Sequence, residues 1–468
     1  MSAASAPPVV ETGFWSLDRV AAALTPHAEG NLPLGSQPLR AVSTDTRQIG
    51  AGDLFVALVG DRFDAHDFLA EAVERGAAAL VISRPERAAG LGVPVYAVHD
   101  TLVALGALAH AYRRAWNGPL IAVAGSNGKT TTKDMIRAAL GRVYQTHATT
   151  GNLNNLVGVP LTLLAMPPST EIAVVELGTN VPGEVARLRA IADPDLAVVT
   201  SVGEEHLEGL GTIEAVLAEE ASVFDGVATG IVPGAQPEIA AAARARASRV
   251  IVAGLHGGDL PVTGWGVEPD GRGWFEVDGI SVHPPVRGAH NLRNAALAVA
   301  VARECGVSFS DSAEGIAAMP LPSMRTAWET LGTATLINDA YNANPPSMRA
   351  AIDLLAGVDG GRQRVAVLGG MREMGEHAPR LHEEIARYAL AARIDLVAGI
   401  GDMAAALSAV APGDSRVLAA PDVDELWPLL EPRLTPDAVV LLKASRGVRL
   451  ERLVPHLSDW AARTCSPS

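Results

Sequence analysis

Residues 120–136 read LIAVAGSNGKTTTKDMI and carry the clearest structural signal in the chain. The apolar letters before Gly125 are typical of a buried strand, and a helical pattern begins at Lys129. Between them, glycines permit a tight turn that brings backbone N–H groups close to phosphate oxygens, and the helix N-terminus adds a positive dipole. The sequence therefore predicts a nucleotide site in this loop. Its predicted nucleotide-binding residues are Gly125, Ser126, Asn127, Gly128, Lys129, Thr130 and Thr131.

Lys129 and Thr130 have separate predicted roles in this loop. A lysine at this position reaches the β- and γ-phosphates of a nucleotide, and a hydroxyl at the next position coordinates Mg²⁺. The usual, longer phosphate loop has glycine at the position of Val123, so this loop is a shorter variant. The alternative is a glycine-rich turn with an exposed lysine. The strand before the loop and the helix after it favour ATP and Mg²⁺ as ligands.

Apolar runs that alternate with helical segments continue along the chain after the loop. They include 172–178 and 196–202, and a second series runs from 334–339 to 438–445. Continuous apolar runs of this kind predict parallel sheets with helices on both faces. Ahead of the loop, an Ala/Leu-rich helix is expected from about Thr101 to Trp116, and a turn signal follows it.

The predicted fold class is therefore α/β with three domains. We expect a smaller α/β N-terminal domain, a central parallel sheet of the phosphate-loop type with helices on both faces, and a Rossmann-like C-terminal domain. The predicted domains are residues 1–117, 118–321 and 322–468.

Composition excludes several classes of function. The formal net charge of −15 over 468 residues argues against a nucleic-acid backbone or an anionic membrane as the main partner. Cys305 and Cys465 are the only cysteines, which argues against a disulfide framework or a zinc site. The N-terminal residues do not resemble a signal peptide, and no apolar stretch is long enough to span a membrane. A cytoplasmic protein, most simply a monomer, is expected.

Two further side chains are predicted to meet the loop at the sheet edge. Glu176 ends the apolar run AVVE, and His206 follows the run LAVVTSV in the segment GEEHLEG. The carboxyl ends of parallel strands gather at one edge of a sheet. A carboxylate and a neutral imidazole there can hold Mg²⁺ against the phosphates. Each residue alone has a simpler interpretation, Glu176 as a helix-capping acid and His206 as a surface loop residue.

Several segments in this order resemble the Mur ligase family over nearly the whole chain. They are GSNGKTTTK (125–133), TTGNLNNLVGVPLTLL (149–164), VELGTNVPGEVARL (175–188), GAHNLRNAALA (288–298), DAYNANPPSM (339–348) and, near the N-terminus, STDTRQIGAGDLFVAL (43–58). The segments at 149–164 and 339–348 are similar to those of the member that adds D-alanyl-D-alanine.

The resemblance implies an enzyme of peptidoglycan synthesis, and hence of cell-wall formation, cell shape and cell division. ATP would convert the terminal carboxylate of a UDP-linked muramoyl tripeptide into an acyl phosphate, and the amine of D-Ala-D-Ala would displace the phosphate. The first domain is then expected to bind the UDP end, the central domain ATP, and the third domain ATP and the dipeptide.

The resemblance also implies roles for single residues. Thr130, Glu176 and His206 are expected to be Mg²⁺ ligands, and Lys129, Glu220 and His206 to take part in catalysis. The further ATP contacts implied are Asn291, Asn294, Arg325, Asp339 and Asn342. The substrate contacts implied are Ser43, Thr44, Asp45, Arg47, Asn152, Asn154, Asn155, Ser445 and Arg446.

Glu220 marks a departure from the family pattern. Many members carry a carbamylated lysine that contacts Mg²⁺ in the helix after the histidine, and the stretch 211–227 contains no lysine. Counted back from Phe224 along this helix, Glu220 stands at the position where those members carry the lysine. The hypothesis is that Glu220 supplies the carboxylate directly, without CO₂. The alternative is a solvated acidic face shared with Glu219. Smaller departures are Gly370 in LGGM and Ala65 in FDAHDF.

Three other functions compete with this interpretation. A sibling ligase that adds the third amino acid would be expected to carry a DNPR-like string in the third domain, and the sequence has none. A nucleotide switch or transport ATPase would be expected to have a conventional phosphate loop, and it leaves the first domain unexplained. A catalytically silent homologue is disfavoured by intact Lys129, Thr130, Glu176 and His206. Sequence leaves open whether the tripeptide ends in lysine or diaminopimelate.

Overall fold

The computed structural model describes residues 13–28, 30–60, 62–321, 324–358 and 361–464. Pro322, where the third domain is predicted to begin, and Cys465 lie outside these residues. Among the described helices, none has both the length and the apolar composition needed to cross a membrane.

The helices and strands alternate along most of the chain. The described α-helices are α1 Leu17–Leu24, α2 Leu69–Glu74, α3 Thr101–Trp116, α4 Lys129–Leu140, α5 Gly158–Leu164, α6 Glu184–Ala192, α7 Leu207–Leu210, α8 Ile213–Ala221, α9 Pro237–Arg244, α10 Ala289–Glu304, α11 Phe309–Ala317, α12 Pro345–Ala356, α13 Ala378–Ala391, α14 Asp402–Val410, α15 Val423–Leu430 and α16 Leu453–Thr464. The described strands are β1 Val42–Ser43, β2 Asp53–Val56, β3 Val59–Gly60, β4 Phe63–Asp64, β5 Ala77–Ile82, β6 Val95–Ala97, β7 Leu120–Ala124, β8 Thr146–Ala148, β9 Ile172–Glu176, β10 Leu196–Val199, β11 Thr229–Pro233, β12 Arg249–Ala253, β13 Val262–Val267, β14 Gly273–Val277, β15 Ile280–Val282, β16 Ala327–Leu331, β17 Ala334–Asp339, β18 Arg364–Leu368, β19 Leu396–Ile400, β20 Val417–Ala420 and β21 Val439–Lys443.

The chain divides into two compact units. The first comprises residues 1–124, 144–178 and 183–197, and the second comprises residues 125–143, 179–182 and 198–468. The phosphate loop, His206, Glu220 and the third predicted domain all belong to the second unit. Glu176 and the first predicted domain belong to the first unit.

The first unit contains a four-stranded parallel sheet in the order β1-β2-β5-β6. Phe55, Leu80 and Ile82 on its strands are buried in one apolar cluster. The first unit also contains strands β7, β9 and β8 of the central sheet, in that order, and strands β11 and β12 of the second unit pair in parallel. Within the central sheet β7, β8 and β9 are parallel, and Val123 of β7 is in register with Glu176 of β9. The predicted parallel central sheet is therefore confirmed.

The second unit contains two more sheets. Strands β13-β14-β15 form a small antiparallel sheet within the glycine-rich segment before α10. A six-stranded sheet in the order β16-β17-β21-β18-β19-β20 builds the C-terminal part, parallel except for β16. Its apolar cluster includes Val367, Leu442 and Trp460. The alternating βα pattern and this parallel core agree with the predicted Rossmann-like domain.

Local signals explain where the elements start and stop. The Asp100 carboxylate accepts hydrogen bonds from two N–H groups at the start of α3, and Asn117 in a left-handed conformation ends that helix. Residues 67–76, with the sequence DFLAEAVERG, are only partly α-helical. Residues 65–68 form a 3-10 turn capped by the Asp64 carboxylate, and α2 begins after it at Leu69. This cap competes with an earlier α-helical start.

Candidate active site

The phosphate loop takes the backbone conformation that its glycines predict. Gly125 has φ +120°, and a Cβ there would lie 2.4 Å from Thr200 Oγ1 and 2.8 Å from the Thr200 amide nitrogen. Gly128, with φ +84°, immediately precedes α4. A side chain at Gly125 would meet backbone that cannot move aside, so the close approach requires glycine.

The segment after β10 holds this loop in place. The Ser126 N–H donates to the Ser201 carbonyl at 2.7 Å, and the Asn127 N–H donates to Ser201 Oγ at 3.1 Å. The Thr200 hydroxyl donates to the Asn127 carbonyl at 2.6 Å. These bonds fix the loop before any ligand binds, which reduces the entropy cost of holding phosphate oxygens.

Lys129 and Thr130 lie in the first turn of α4, as predicted. Lys129 Nζ donates to the Gly125 carbonyl at 2.5 Å and lies 3.4 Å from the Ser126 carbonyl. The ammonium group thus lies against the loop itself, where phosphates would be expected. The combination of loop N–H groups, helix N-terminus and lysine is suited to a nucleotide triphosphate.

Glu220 lies under this loop rather than on a solvated face. It is 1% exposed, and its carboxylate accepts a hydrogen bond from the Gly125 N–H at 2.7 Å. Burial raises the pKa of Glu220 to about 7, with Glu205 adding to the rise and Lys129 and the Gly125 bond opposing it. Glu219 is also buried, with its carboxylate 3.2 Å from the Thr179 hydroxyl. The solvated acidic face is therefore wrong for this helix.

His206 is held by a carboxylate from a distant part of the second unit. It has φ +54°, a left-handed conformation that is uncommon outside glycine. Its Nδ1 lies 2.6 Å from Glu373 Oε2, and its Nε2 lies 3.6 Å from Glu205 Oε1. Burial disfavours the charged imidazolium, but Glu373 and Glu205 outweigh it, so the pKa of His206 is raised above 6.5.

Glu205, which the sequence did not single out, is buried next to His206. It is 4% exposed, and its Oε1 accepts a hydrogen bond from Asn342 Nδ2 at 3.0 Å. Its Oε2 is buried, and no donor among the described residues hydrogen-bonds to it. The amide of Asn342, predicted as an ATP contact, is thus directed to Glu205 here.

Asn291 and Asn294 lie on α10, which packs against α4. Both are buried, and Asn294 Nδ2 donates to Asn291 Oδ1 at 3.1 Å. A Cβ built on Gly128 would lie 2.6 Å from Asn294 Oδ1. This face of α10 therefore borders the loop, and the predicted contact of Asn291 and Asn294 with ATP stays a prediction.

Arg325 and Asp339 lie in the C-terminal part of the second unit. The Arg325 guanidinium lies over the Tyr341 ring, 4.2 Å from its centroid. The Asp339 carboxylate pairs with Lys443 Nζ at 2.7 Å and accepts a hydrogen bond from the Thr326 N–H at 3.0 Å. Asp339 is therefore anchored at the end of β17, and its predicted contact with ATP stays a prediction.

Ser445 and Arg446, predicted to contact substrate, differ in exposure. Ser445 is buried, and its hydroxyl accepts a hydrogen bond from the Arg372 N–H at 3.0 Å. Arg446 is exposed, and its Nη1 lies 3.4 Å from Glu451 Oε1. Ser445 thus helps to hold the segment that carries Glu373, and Arg446 is the more accessible of the two.

In the first unit, Asn154 and Glu176 are joined. Asn154 Nδ2 donates to Glu176 Oε1 at 2.9 Å, and the Glu176 N–H donates to Thr149 Oγ1 at 2.9 Å. Asn155 Oδ1 accepts a hydrogen bond from the N–H of Gly158, where α5 begins, at 2.8 Å, and the Asn152 carbonyl accepts one from the Asn154 N–H. The segment 149–164 therefore orients the carboxylate that is predicted to bind Mg²⁺.

The predicted UDP contacts form a small capped turn. Asp45 caps the 3-10 turn at residues 46–48, and its carboxylate pairs with Arg47 Nη2 at 2.7 Å. The hydrogen bonds from Arg47 lower the pKa of Asp45 to about 2. Ser43 Oγ lies 3.2 Å from the Asp45 carbonyl, and Thr44 lies between them in the chain. Their predicted binding of UDP stays a prediction.

Sequence reasoning missed Glu205, Glu373 and Asn344. Asn344 caps α12, and its Nδ2 also donates to Asn127 Oδ1 of the phosphate loop at 2.9 Å. The pattern Asn-Pro-Pro-Ser predicts a helix cap, but not this contact 217 positions away. Within the described residues, no three His, Cys, Asp or Glu side chains can hold a metal ion by themselves. A cation at the phosphate loop would need the Thr130 hydroxyl, phosphate oxygens or water as further ligands.

Three known domain families match consecutive parts of the chain. Residues 38–113 match the Mur ligase family catalytic domain. Residues 123–302 match the Mur ligase middle domain, and residues 324–446 match the Mur ligase glutamate ligase domain.

Complete proteins match over similar lengths. The UDP-N-acetylmuramoyl-tripeptide–D-alanyl-D-alanine ligase of Bacillus subtilis is 36% identical, over 90% of this chain and 93% of the relative. The enzyme of the same name from Escherichia coli is 34% identical, over 93% of this chain and 97% of the relative. A crystal structure of MurF from Acinetobacter baumannii superimposes with a TM-score of 0.87 at 30% identity, covering 97% of this chain and 100% of that one. MurF from Thermotoga maritima in complex with ADP gives a TM-score of 0.81 at 27% identity, covering 91% and 98%. This chain belongs to the Mur ligase family.

Proposed function

We propose that the chain is an ATP-dependent ligase of peptidoglycan precursor synthesis. It joins D-alanyl-D-alanine to UDP-N-acetylmuramoyl-tripeptide and releases ADP and phosphate. The observation that carries the proposal is the pre-formed phosphate loop, with Lys129 Nζ against it and Glu220 beneath it. The names of the B. subtilis and E. coli relatives support the choice of substrates. Both substrates are small molecules.

The reaction needs a better leaving group than a carboxylate offers. Transfer of the γ-phosphoryl group to the terminal carboxylate of the tripeptide breaks the β–γ bond of ATP and gives an acyl phosphate and ADP. The amine of the dipeptide then attacks the acyl carbon, and the amide forms as phosphate leaves and the amine loses a proton. Lys129 and the loop N–H groups are placed to stabilise the negative charge that moves during phosphoryl transfer.

The donor set fits Mg²⁺. Thr130, Glu176 and His206 are the proposed ligands, and the buried Glu205 Oε2, which has no donor among the described residues, is an oxygen suited to a cation. Bound Mg²⁺ neutralises charge on the phosphates. The chain itself fixes its ligands, because Asn154 orients Glu176 and Glu373 orients His206.

Glu220 takes the place of the carbamylated lysine in this proposal. A glutamate supplies a carboxylate without CO₂, and its burial beside Lys129 and His206 supports a role in the site. Activity should then be unchanged when bicarbonate and CO₂ are removed from the assay. A Glu220→Gln enzyme with full Mg²⁺-dependent activity would show that the carboxylate is not needed.

Two further expectations belong to the same proposal. The domains are 1–117 for the UDP end, 118–321 for ATP, and 322–468 for ATP and the dipeptide. The enzyme works in the cytoplasm, where ATP and the UDP-linked precursor are available.

Product analysis tests the choice between this activity and that of a sibling ligase. Purified enzyme, Mg-ATP and UDP-N-acetylmuramoyl-tripeptide are incubated with D-Ala-D-Ala, and the products are analysed by mass spectrometry. A second reaction offers UDP-N-acetylmuramoyl-dipeptide with lysine or diaminopimelate. The proposal expects pentapeptide in the first reaction and no tripeptide in the second, and the reverse result would contradict it.

A further inference from the structure

Glu205 is a buried carboxylate that is not among the three Mg²⁺ ligands named above. It follows β10 in the chain and precedes His206 directly. Asn342 Nδ2 donates a hydrogen bond to Glu205 Oε1 at 3.0 Å. No donor among the described residues hydrogen-bonds to the buried Glu205 Oε2. Leaving a buried carboxylate oxygen without a donor is costly, so such an oxygen calls for a function.

The neighbour of Glu205 points to a cation rather than to a hydrogen bond. Glu373 Oε2 lies 2.6 Å from His206 Nδ1, which leaves Nε2 as the ring nitrogen that faces Glu205. Nε2 lies 3.6 Å from Glu205 Oε1, which is too far for a hydrogen bond. An imidazole nitrogen and a carboxylate at this separation can both bind one divalent cation placed between them.

Two charges from other elements complete the surroundings of Glu205. Lys129 and Glu205 both act electrostatically on His206 and on Glu220. The ammonium of Lys129 is hydrogen-bonded to loop carbonyls, and the Glu220 carboxylate is hydrogen-bonded to the Gly125 N–H. Each of these groups therefore has a hydrogen-bond partner in the loop, whereas no donor among the described residues reaches Glu205 Oε2.

We propose that Glu205 is a ligand of a divalent cation shared with His206 Nε2, and that Asn342 positions it. Two protein ligands are enough for Mg²⁺ in a phosphoryl-transfer site, because substrate phosphates and water supply the remaining positions. The inference rests on the proposed function, since it places this ion beside the phosphates of ATP. It adds a carboxylate ligand that the family resemblance did not assign.

Asn342 gives the site a link to the C-terminal part of the second unit. Its carbonyl accepts a hydrogen bond from Lys443 Nζ at 2.7 Å, and its Oδ1 accepts one from the Ala343 N–H at 2.9 Å. These two bonds fix the amide so that its Nδ2 faces Glu205. An Asn342→Asp enzyme would place a second negative charge against Glu205 and should disturb the same cation.

Manganese binding tests the proposal without requiring turnover. The enzyme is mixed with AMP-PCP, a non-hydrolysable ATP analogue, and titrated with Mn²⁺ while electron paramagnetic resonance records the free ion. Wild-type enzyme should bind two Mn²⁺ ions per chain. Glu205→Gln should weaken the second ion at least tenfold and leave the first unchanged, and Glu205→Asp should fall between the two. Glu208→Gln, an exposed change of equal charge in the same segment, should bind as the wild type does.

The outcomes separate this inference from the proposed function. Second-ion affinity in a folded Glu205→Gln enzyme equal to that of the wild type would overturn it, as would a wild-type enzyme that binds only one ion. If the wild type binds neither Mn²⁺ nor AMP-PCP, the proposed ATP-dependent function fails as well. Circular dichroism and thermal unfolding establish that each variant is folded.

Discussion

His206 Nδ1 lies 2.6 Å from Glu373 Oε2, although the two residues are 167 positions apart in the chain. The contact joins the segment after β10 to the segment after β18. Backbone contact accompanies it, because the Glu208 N–H donates to the Glu373 carbonyl at 3.0 Å. Glu373 thereby sets both the tautomer and the orientation of a predicted metal ligand.

Replacing Glu373 should change how the enzyme responds to acid. The hydrogen bond and charge of Glu373 help to raise the pKa of His206, and a protonated imidazole cannot bind a metal ion. Glu373→Gln should therefore lower that pKa and shift the acid limb of the Mg²⁺-dependent rate to lower pH. The measurement is kcat/KM for Mg-ATP against pH. Glu376→Gln, a change at an exposed residue of the same segment, is the control. If the wild type, Glu373→Gln and Glu376→Gln all had the same acid limb, the role of Glu373 would be contradicted.

The free energy of unfolding should depend on pH because the Glu220 carboxyl titrates differently in the folded and unfolded protein. Its pKa is about 7 in the folded protein against an ordinary value of 4.5, so the folded state holds this proton more tightly. The resulting stabilisation is complete below pH 4.5 and is lost as pH rises through about 7. One proton gives a slope of at most about 1.4 kcal/mol per pH unit. Denaturant unfolding between these pH values should show a decrease that Glu220→Gln reduces, and equal pH dependence in both proteins would refute the assignment.

Loss of the Lys129 ammonium should abolish most activity without unfolding the protein. Removing one preorganised donor to a developing charge typically costs about 10²- to 10³-fold in rate. Lys129→Ala should show at least this loss in ADP release while its thermal midpoint stays close to that of the wild type. Arg137→Ala, exposed on the same helix, serves as the control. Near-normal activity in Lys129→Ala would remove the lysine from the mechanism.

The aromatic ring of Tyr341 should help to hold the Arg325 guanidinium in place. The guanidinium lies 4.2 Å from the ring centroid, and a cation–π contact that solvent can still reach contributes about 0.5–1 kcal/mol. If Arg325 contacts ATP, Tyr341→Leu should raise the KM for ATP about two- to fivefold. Tyr341→Phe keeps the ring and should change KM little. Equal effects of the two substitutions would indicate that the hydroxyl, not the ring, is important.

The sequence predicted elements whose signals are local. Helix α3 runs from Thr101 to Trp116 as predicted, because an aspartate caps its start and an Asn-Gly-Pro turn follows its end. Strand β17 also matches its predicted range, since its six residues form a short run bounded by turn signals. The loop conformation followed from its glycines for the same reason.

The contacts that complete the site were not predictable, because they depend on tertiary packing. Glu220 reaches the Gly125 N–H across 95 positions, and Asn342 reaches Glu205 across 137. No local pattern in GEEHLEG distinguishes a buried glutamate from its partly exposed neighbour Glu204. The departure at Glu220 was visible from its phase in the helix, whereas its burial became visible only in the fold.

ADP release in the presence and absence of D-Ala-D-Ala tests the central claim most directly. Purified enzyme is supplied with Mg-ATP and UDP-N-acetylmuramoyl-tripeptide, and ADP is followed by a coupled assay. We expect release that depends on the dipeptide and on Mg²⁺ and that is lost in Lys129→Ala. ADP release at the same rate without the dipeptide, or no affinity for Mg-ATP, would contradict it.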